Sequence, residues 1–185
     1  MTDALTFLKT RRSRPAKVLG LPVPDRTTLE ALLQVAARSP DHGKLEPWRF
    51  IVLEQAALRR LGTLARQLAI VAGVDADKAA NQFETDNLAV VVVASPKVCD
   101  KFPEVEQTYS AGAVCLSLLN GALASGWGAN WLSGWPSHQA GFRNQGLNLA
   151  DHERIAGIIH IGTGPAQMPE RPRPDVPALT EWMTK

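Results

Sequence analysis

Seven residues, Leu88-Ala89-Val90-Val91-Val92-Val93-Ala94, follow one another without a polar break. β-Branched side chains suit a pleated backbone, and a run without alternation leaves no face for water. The run therefore predicts a central strand covered on both sides. A sheet buried in this way needs helices to cover it, and the rest of the sequence supplies them.

Asp25 caps a predicted helix over 25–38, with Leu29, Leu32, Leu33, Ala36 and Ala37 on one face and Ser39-Pro40 as its stop. Residues 56–72 return to that spacing through Leu58, Leu61, Leu64, Leu68 and Ala72. A polar helical piece is expected at about 75–86. Residues 104–125 predict one long helix, apolar nearly all round and rich in Ala, Gly and Ser, as in a core or a tight helix–helix contact. Asp3 can cap a short first helix that ends near Arg11.

Further strands are expected at 48–54 and 155–162, with a short strand or extended loop at 129–134. Polar helices are expected near 137–146 and 149–154. From Pro165 onward, five prolines in thirteen residues exclude regular helix and central strand, so the tail must run extended over a surface. The pattern describes one domain over 1–185, of mixed α/β or α+β class, around a sheet of about four strands.

Composition narrows the function. A net charge of +2 on 185 residues lacks the basic stripe of a nucleic-acid binder. Cys99 and Cys115 form no CxxC pair or disulfide framework, which fits a reducing compartment. The opening MTDALTFLKTRR puts positive charge after its apolar part, the reverse of a signal peptide, and no apolar run reaches bilayer length. A cytoplasmic protein with no membrane partner is expected. His42, His138, His152 and His160 are scattered without metal-ligand spacing, His152 on a helix surface and His160 in a strand. No GxGxxG follows a strand, and neither GxxxxGK[ST] nor GxSxG occurs.

Three stretches could carry chemistry. Arg11-Arg12-Ser13, with Arg14 and Lys17 close by, offers guanidinium groups and a hydroxyl suited to phosphate, or else a solvated basic helix end. The stiff loop Pro40 to Trp48, preceded by Arg38, holds His42 where it could donate to a ligand, or is an ordinary polar turn. Residues 126–135, GWGANWLSGW, carry three tryptophans, three glycines and a serine, which suit close approach to a flat ring better than a plain core strand.

Together and in order these stretches resemble the nitroreductase family, and more narrowly its short bacterial branch of NAD(P)H nitroreductases. The resemblance is carried by RRS at 11–13, RSPDH at the end of the second helix, PW at 47–48, SAG at 110–112, GWGANWLSG at 126–134 and HIGTGP at 160–165. It implies an α+β sandwich, with a mixed, mainly antiparallel sheet flanked by helices. It also implies a homodimer with two FMN molecules at the subunit interface and NADH or NADPH as electron donor. Arg11, Arg12 and Ser13 would hold the FMN phosphate and ribityl chain. Arg38 and His42 would reach the flavin of a second copy. Trp131, Leu132 and Ser133 would lie along the isoalloxazine edge, with Gly162, Arg171 and Arg173 as lesser candidates. Glu46 stands where many members have Gln, and Leu132 where the branch often has Arg, which leaves a backbone contact there. The implied reaction is ping-pong transfer of two electrons to a nitroaromatic, a quinone or an unsaturated metabolite, with no catalytic acid or base. A protein that stores, delivers or senses FMN without turnover would carry the same binding stretches.

Overall fold

The computed structural model describes residues 3–166 and 168–184. Helix α1 spans Ala4–Thr10, and the Asp3 carboxylate accepts from the N–H groups of Leu5 and Thr6. Helix α2 spans Arg26–Ala36 and is capped the same way, Asp25 accepting from the Thr28 N–H at 2.8 Å. Strand β1 is Trp48–Leu53 and helix α3 Gln55–Ala72, which ends on Gly73 in the left-handed conformation at φ 68°. Helix α4 is Ala76–Ala80, strand β2 Leu88–Ala94 and helix α5 Glu104–Ala124. Strand β3 is Gly128–Leu132, helix α6 Trp135–His138, and strand β4 Arg154–Gly162.

The four strands form one sheet in the order β1-β2-β4-β3, and all three pairings are antiparallel. Every residue of β2 is buried, as the uninterrupted apolar run requires of an interior strand. Alternate side chains of the sheet feed two cores. Val90, Val92, Ile159 and Ile161 pack under α2 and α5 with Leu29, Leu32 and Leu118. Val91, Val93 and Ile158 face the other way, against Leu58 and Leu61 of α3 and the rings of Phe83 and Phe142.

Three expectations need correction. The helix expected at 149–154 is a turn that carries His152, and β4 begins at Arg154. Asn148 adopts φ 50°, which ends helical continuation, and Leu149 turns into the core. The piece expected at 137–146 is split between α6 and a single π turn at Phe142–Gly146. The helix expected at 75–86 stops at Ala80, because Phe83 must reach the core beneath α3. The tail follows the expectation: beyond Pro165 its described residues hold one 3-10 turn, Pro177–Leu179, and are largely exposed. No helix among the described residues is long and apolar enough to cross a membrane. Both cysteines are free thiols, and burial pushes that of Cys115 up to about 12.

The turn before β4 is locked to the far edge of the sheet. Arg49 on β1 donates twice to Glu153, from Nε and Nη2, each at 2.7 Å. Glu153 also accepts from the Ala150 N–H at 3.0 Å. The bidentate Arg49 contact holds the Glu153 carboxyl at about 2, against an ordinary 4.5. The folded value lies below the unfolded one, so the contribution is complete above pH 4.5 and disappears as pH falls from there towards 2. Glu153→Gln should lower stability at neutral pH by about 2 kcal/mol. In urea titrations the gap between variant and native chain should narrow steadily across that acid window, and a constant gap would contradict the assignment.

Candidate anion site beside the edge strand

After α1 the chain leaves the helix at Arg11 and runs extended along the outer edge of β3. The Arg14 N–H donates to the Ala129 carbonyl at 2.8 Å. The Arg14 guanidinium donates to the carbonyls of Arg12, Pro165 and Ala166, which ties this arm to the start of the tail. A one-turn 3-10 helix, Ala16–Val18, follows. Gly20 and Thr163 then exchange backbone hydrogen bonds at 2.9 Å, an antiparallel bridge that fastens the arm beyond the end of β4.

Glycines make that docking possible. A Cβ on Gly128 would stand 2.5 Å from Leu19 Cδ2, and one on Gly164 would stand 2.8 Å from the same atom. A Cβ on Gly162 would stand 2.7 Å from the Gly20 carbonyl oxygen. Gly162 therefore receives the arm's backbone.

The docked arm closes one side of a cavity of about 260 Å³. Arg11, Arg12 and Ser13 line it from the arm, Asn130 from β3, and Arg171 and Arg173 from the tail. Arg11 donates to Ser13 Oγ at 2.8 Å, but its Nε–H is buried with no partner among the described residues. Burial first, and then the charges of Arg173 and Arg12, lower its affinity for a proton. Glu170 is bound by both Arg12, at 3.4 Å, and Arg173, at 2.7 Å. Four arginines thus line the cavity, and Glu170 binds two of them, Arg12 and Arg173. Like charges held close are unfavourable, and an entering anion relieves that.

A second cavity, about 450 Å³, lies further along the same edge. Leu132, Ser133 and Gly134 line it after β3, opposite Lys78 and Gln82. Gln82 is buried and its Oε1 has no partner among the described residues, so this cavity has an acceptor waiting for a donor. Trp131 is not part of that lining. Strand alternation turns it to the α5 face, where a Cβ on Gly157 would stand 2.1 Å from its Nε1 and 3.0 Å from Cys115 Sγ. The indole lies across a glycine there, 37% exposed.

Arg38 and His42 lie elsewhere. Both are exposed, and both precede β1 at the opposite edge of the sheet. With β2 and β4 between the edge strands, the separation is about 14 Å at the usual strand spacing. His42 Nδ1 is 2.7 Å from Glu106 Oε2, and its ring sits 3.9 Å from that of Phe102. Gly43, at φ 82°, lets the loop lie against the Phe102 ring, where a Cβ would come within 2.2 Å. Within one chain the structure joins Arg11, Arg12 and Ser13, sets Leu132 and Ser133 beside them, and leaves Arg38 and His42 apart.

Sequence reasoning missed Asn130, Gln82, Asn87 and the role of His160. His160 is fully buried in β4, and its Nδ1 is 3.0 Å from Asn87 Oδ1. Burial pushes the imidazole down to about 4, so it is neutral at ordinary pH. The available signal was a histidine inside the apolar run IAGIIHIG.

Comparison with known proteins gives the family and the fold. The sequence pattern of the nitroreductase family matches residues 8–163. A protein of Escherichia coli (strain K12) named "Putative NAD(P)H nitroreductase YdjA" is 33% identical over 185 residues, 98% of each chain. A "Putative NAD(P)H nitroreductase" of Haemophilus influenzae is 34% identical over 171 residues, 88% of this chain and 89% of that one. Among solved structures, a nitroreductase-like family protein from Bacillus cereus superposes with a TM-score of 0.82 at 21% identity, over 100% of this chain and 98% of that one. One from Desulfovibrio desulfuricans, described as a "putative nitroreductase in complex with fmn", gives 0.75 at 19% identity, over 100% and 99%. At such identities the two structures speak for the fold.

The glycine cradle gives a direct test. Gly162→Ala should cost about 1–3 kcal/mol in urea unfolding, because backbone must move. Gly20→Ala, whose Cβ would meet nothing within 4 Å, should stay within about 0.5 kcal/mol of the native chain. Equal effects would contradict the close approach at Gly162.

Proposed function

Because this chain belongs to the nitroreductase family, we propose that it is an FMN-dependent oxidoreductase that takes two electrons from NAD(P)H and passes them, in ping-pong order, to a flat acceptor such as a nitroaromatic or a quinone. One observation carries the reading: four arginines line one cavity, a single carboxylate, Glu170, binds two of them, and a buried Arg11 N–H there has no acceptor among the described residues. A phosphate monoester supplies both the negative charge and the missing acceptor. The neighbouring cavity, with Gln82 Oε1 unpaired among the described residues, suits a ring system that carries an N–H.

FMN, when bound, supplies the two-electron chemistry, accepting hydride from the nicotinamide and yielding electrons to the second substrate. The chain's own groups bind and orient. Arg11 and Arg12 grip the phosphate by charge-assisted bonds, and Ser13 adds a neutral donor. Backbone N–H groups near Leu132 to Gly134 would meet the ring edge. Leu132 acts there through its backbone, where the branch often has Arg. Ser133 adds its hydroxyl, and Trp131, whose side chain lies on the α5 face of the sheet, would meet the ring edge through its backbone. No acid–base pair is required of the protein.

Arg38 and His42 stand too far from this cavity to serve it in their own chain, so a second copy is the economical source of them. Two exposed apolar surfaces favour such a homodimer. Val105, Tyr109 and Leu116 lie along one face of α5, and Val176, Leu179, Trp182 and Met183 project from the tail. A dimer that shares its flavin sites should sediment as two chains with flavin bound; a monomer that retains flavin would contradict the shared site.

Anaerobic addition of NADH or NADPH to the purified holoprotein should bleach the flavin's visible band, and a subsequent acceptor should restore it. A yellow protein inert to both nucleotides would instead fit FMN storage, delivery or sensing. Arg11→Ala should weaken FMN binding by about 1.5–3 kcal/mol, roughly ten- to a hundredfold in Kd. Unchanged affinity in equilibrium dialysis would remove Arg11 from the phosphate site.

A further inference from the structure

We propose that Asn87 and His160 form a buried positioning pair that sets the phosphate-gripping arm, so that the chain's preference for a phosphorylated over a non-phosphorylated flavin depends on two residues that never touch the ligand. The inference rests on the flavin reading above and goes beyond it.

Asn87 is 1% exposed and stands immediately before β2. Its Nδ2 donates to the Ala16 carbonyl at 3.0 Å, 71 residues away in sequence. A carbonyl can only accept, so this contact fixes which end of the amide is nitrogen. The amide oxygen therefore faces His160, and His160 Nδ1 must carry the hydrogen that it donates at 3.0 Å. The bonds run in one direction, from the imidazole through the carboxamide to the arm. The Ala16 carbonyl sets the sense of the carboxamide, and the His160 Nδ1–H matches and holds it.

The pair acts where the arm is otherwise least constrained. Arg14 binds β3 and the tail, and Gly20 binds Thr163, but the 3-10 turn between them has no other side-chain bond to the sheet among the described residues. Ala16 follows Pro15, which lines the cationic cavity with Ser13. His160 is paired in register with Asn130, which lines the same cavity from β3. The pair thus joins the two walls of the cavity from beneath. A polar pair in this core is costly unless each partner does something an apolar pair could not. His160 Nε2 has no partner among the described residues, so the imidazole is retained at a cost.

The test uses two flavins that share a ring and differ in phosphate. Apo-protein is titrated with FMN and with riboflavin, and the ratio of the two dissociation constants is read for the native chain, Asn87→Asp and His160→Leu. Asn87→Asp keeps the shape and removes the donor to Ala16; His160→Leu leaves Ala16 its donor but frees the amide to turn. The ratio should fall about tenfold in Asn87→Asp and by a smaller factor in His160→Leu, with riboflavin affinity little changed, while both variants melt lower because each leaves a buried polar group without its partner. A ratio preserved in both variants overturns the positioning role, as does an equal loss for both flavins, which would mark general loosening. If Asn87→Asp does not fold, His160→Leu alone decides, by the same ratio. A native chain that binds FMN no better than riboflavin overturns the phosphate reading itself and this inference with it, and that result is visible before any variant is made.

Discussion

The docking of residues 11–20 across the outer edge of the sheet governs the rest of the site. This arm has almost no regular structure, so it cannot hold its own shape. It is fixed by an N–H bond to Ala129, a backbone bridge to Thr163, the Asn87 carboxamide and the Arg14 guanidinium. Leu19 anchors it among glycines that any side chain would fill. Only with the arm in place do Arg11, Arg12 and Ser13 face Asn130 and the tail arginines across one cavity.

That cavity is electrostatically unfinished. Arg12 and Arg173 share Glu170, but among the described residues Arg11 has only the neutral Ser13 hydroxyl, and its buried Nε–H is unpaired. A folded chain can carry such a defect when a ligand cancels it, and the ligand then stabilises the fold by mass action. Locally unfavourable charge in an otherwise well-packed domain is the expected signature of a binding site. The exposed apolar surfaces on α5 and the tail make the same point about association: their cost is offset when another surface covers them.

Much of this was legible in the sequence, and the reasons are specific. The valine run had to be an interior strand, and the Leu spacings of α2 and α3 had to be half-buried helices, because a single dominant periodicity or its absence decides those cases. Arg11, Arg12 and Ser13 fitted a solvated basic helix end as well as a phosphate site, and only the family resemblance singled them out; the structure adds that they line one cavity. Short polar pieces were misread: nothing local announces that Asn148 takes φ 50° or that Glu153 is claimed by Arg49 on a distant strand. Asn87, Gln82 and Asn130 were invisible for the same reason, since their meaning comes from partners remote in sequence. Trp131 was grouped with Leu132 and Ser133 by adjacency, whereas the pleat sends its side chain to the other face.

The central claim is that guanidinium groups hold a phosphate in its doubly charged form. Free FMN protonates its phosphate with a pKa of about 6. Phosphorus NMR of the FMN complex, followed from neutral to mildly acidic pH, reads that ionisation directly. A bound resonance that stays at the dianion position throughout is the predicted result. A bound resonance that titrates together with the free cofactor would mean that the phosphate sits in water, and the four arginines would need another explanation.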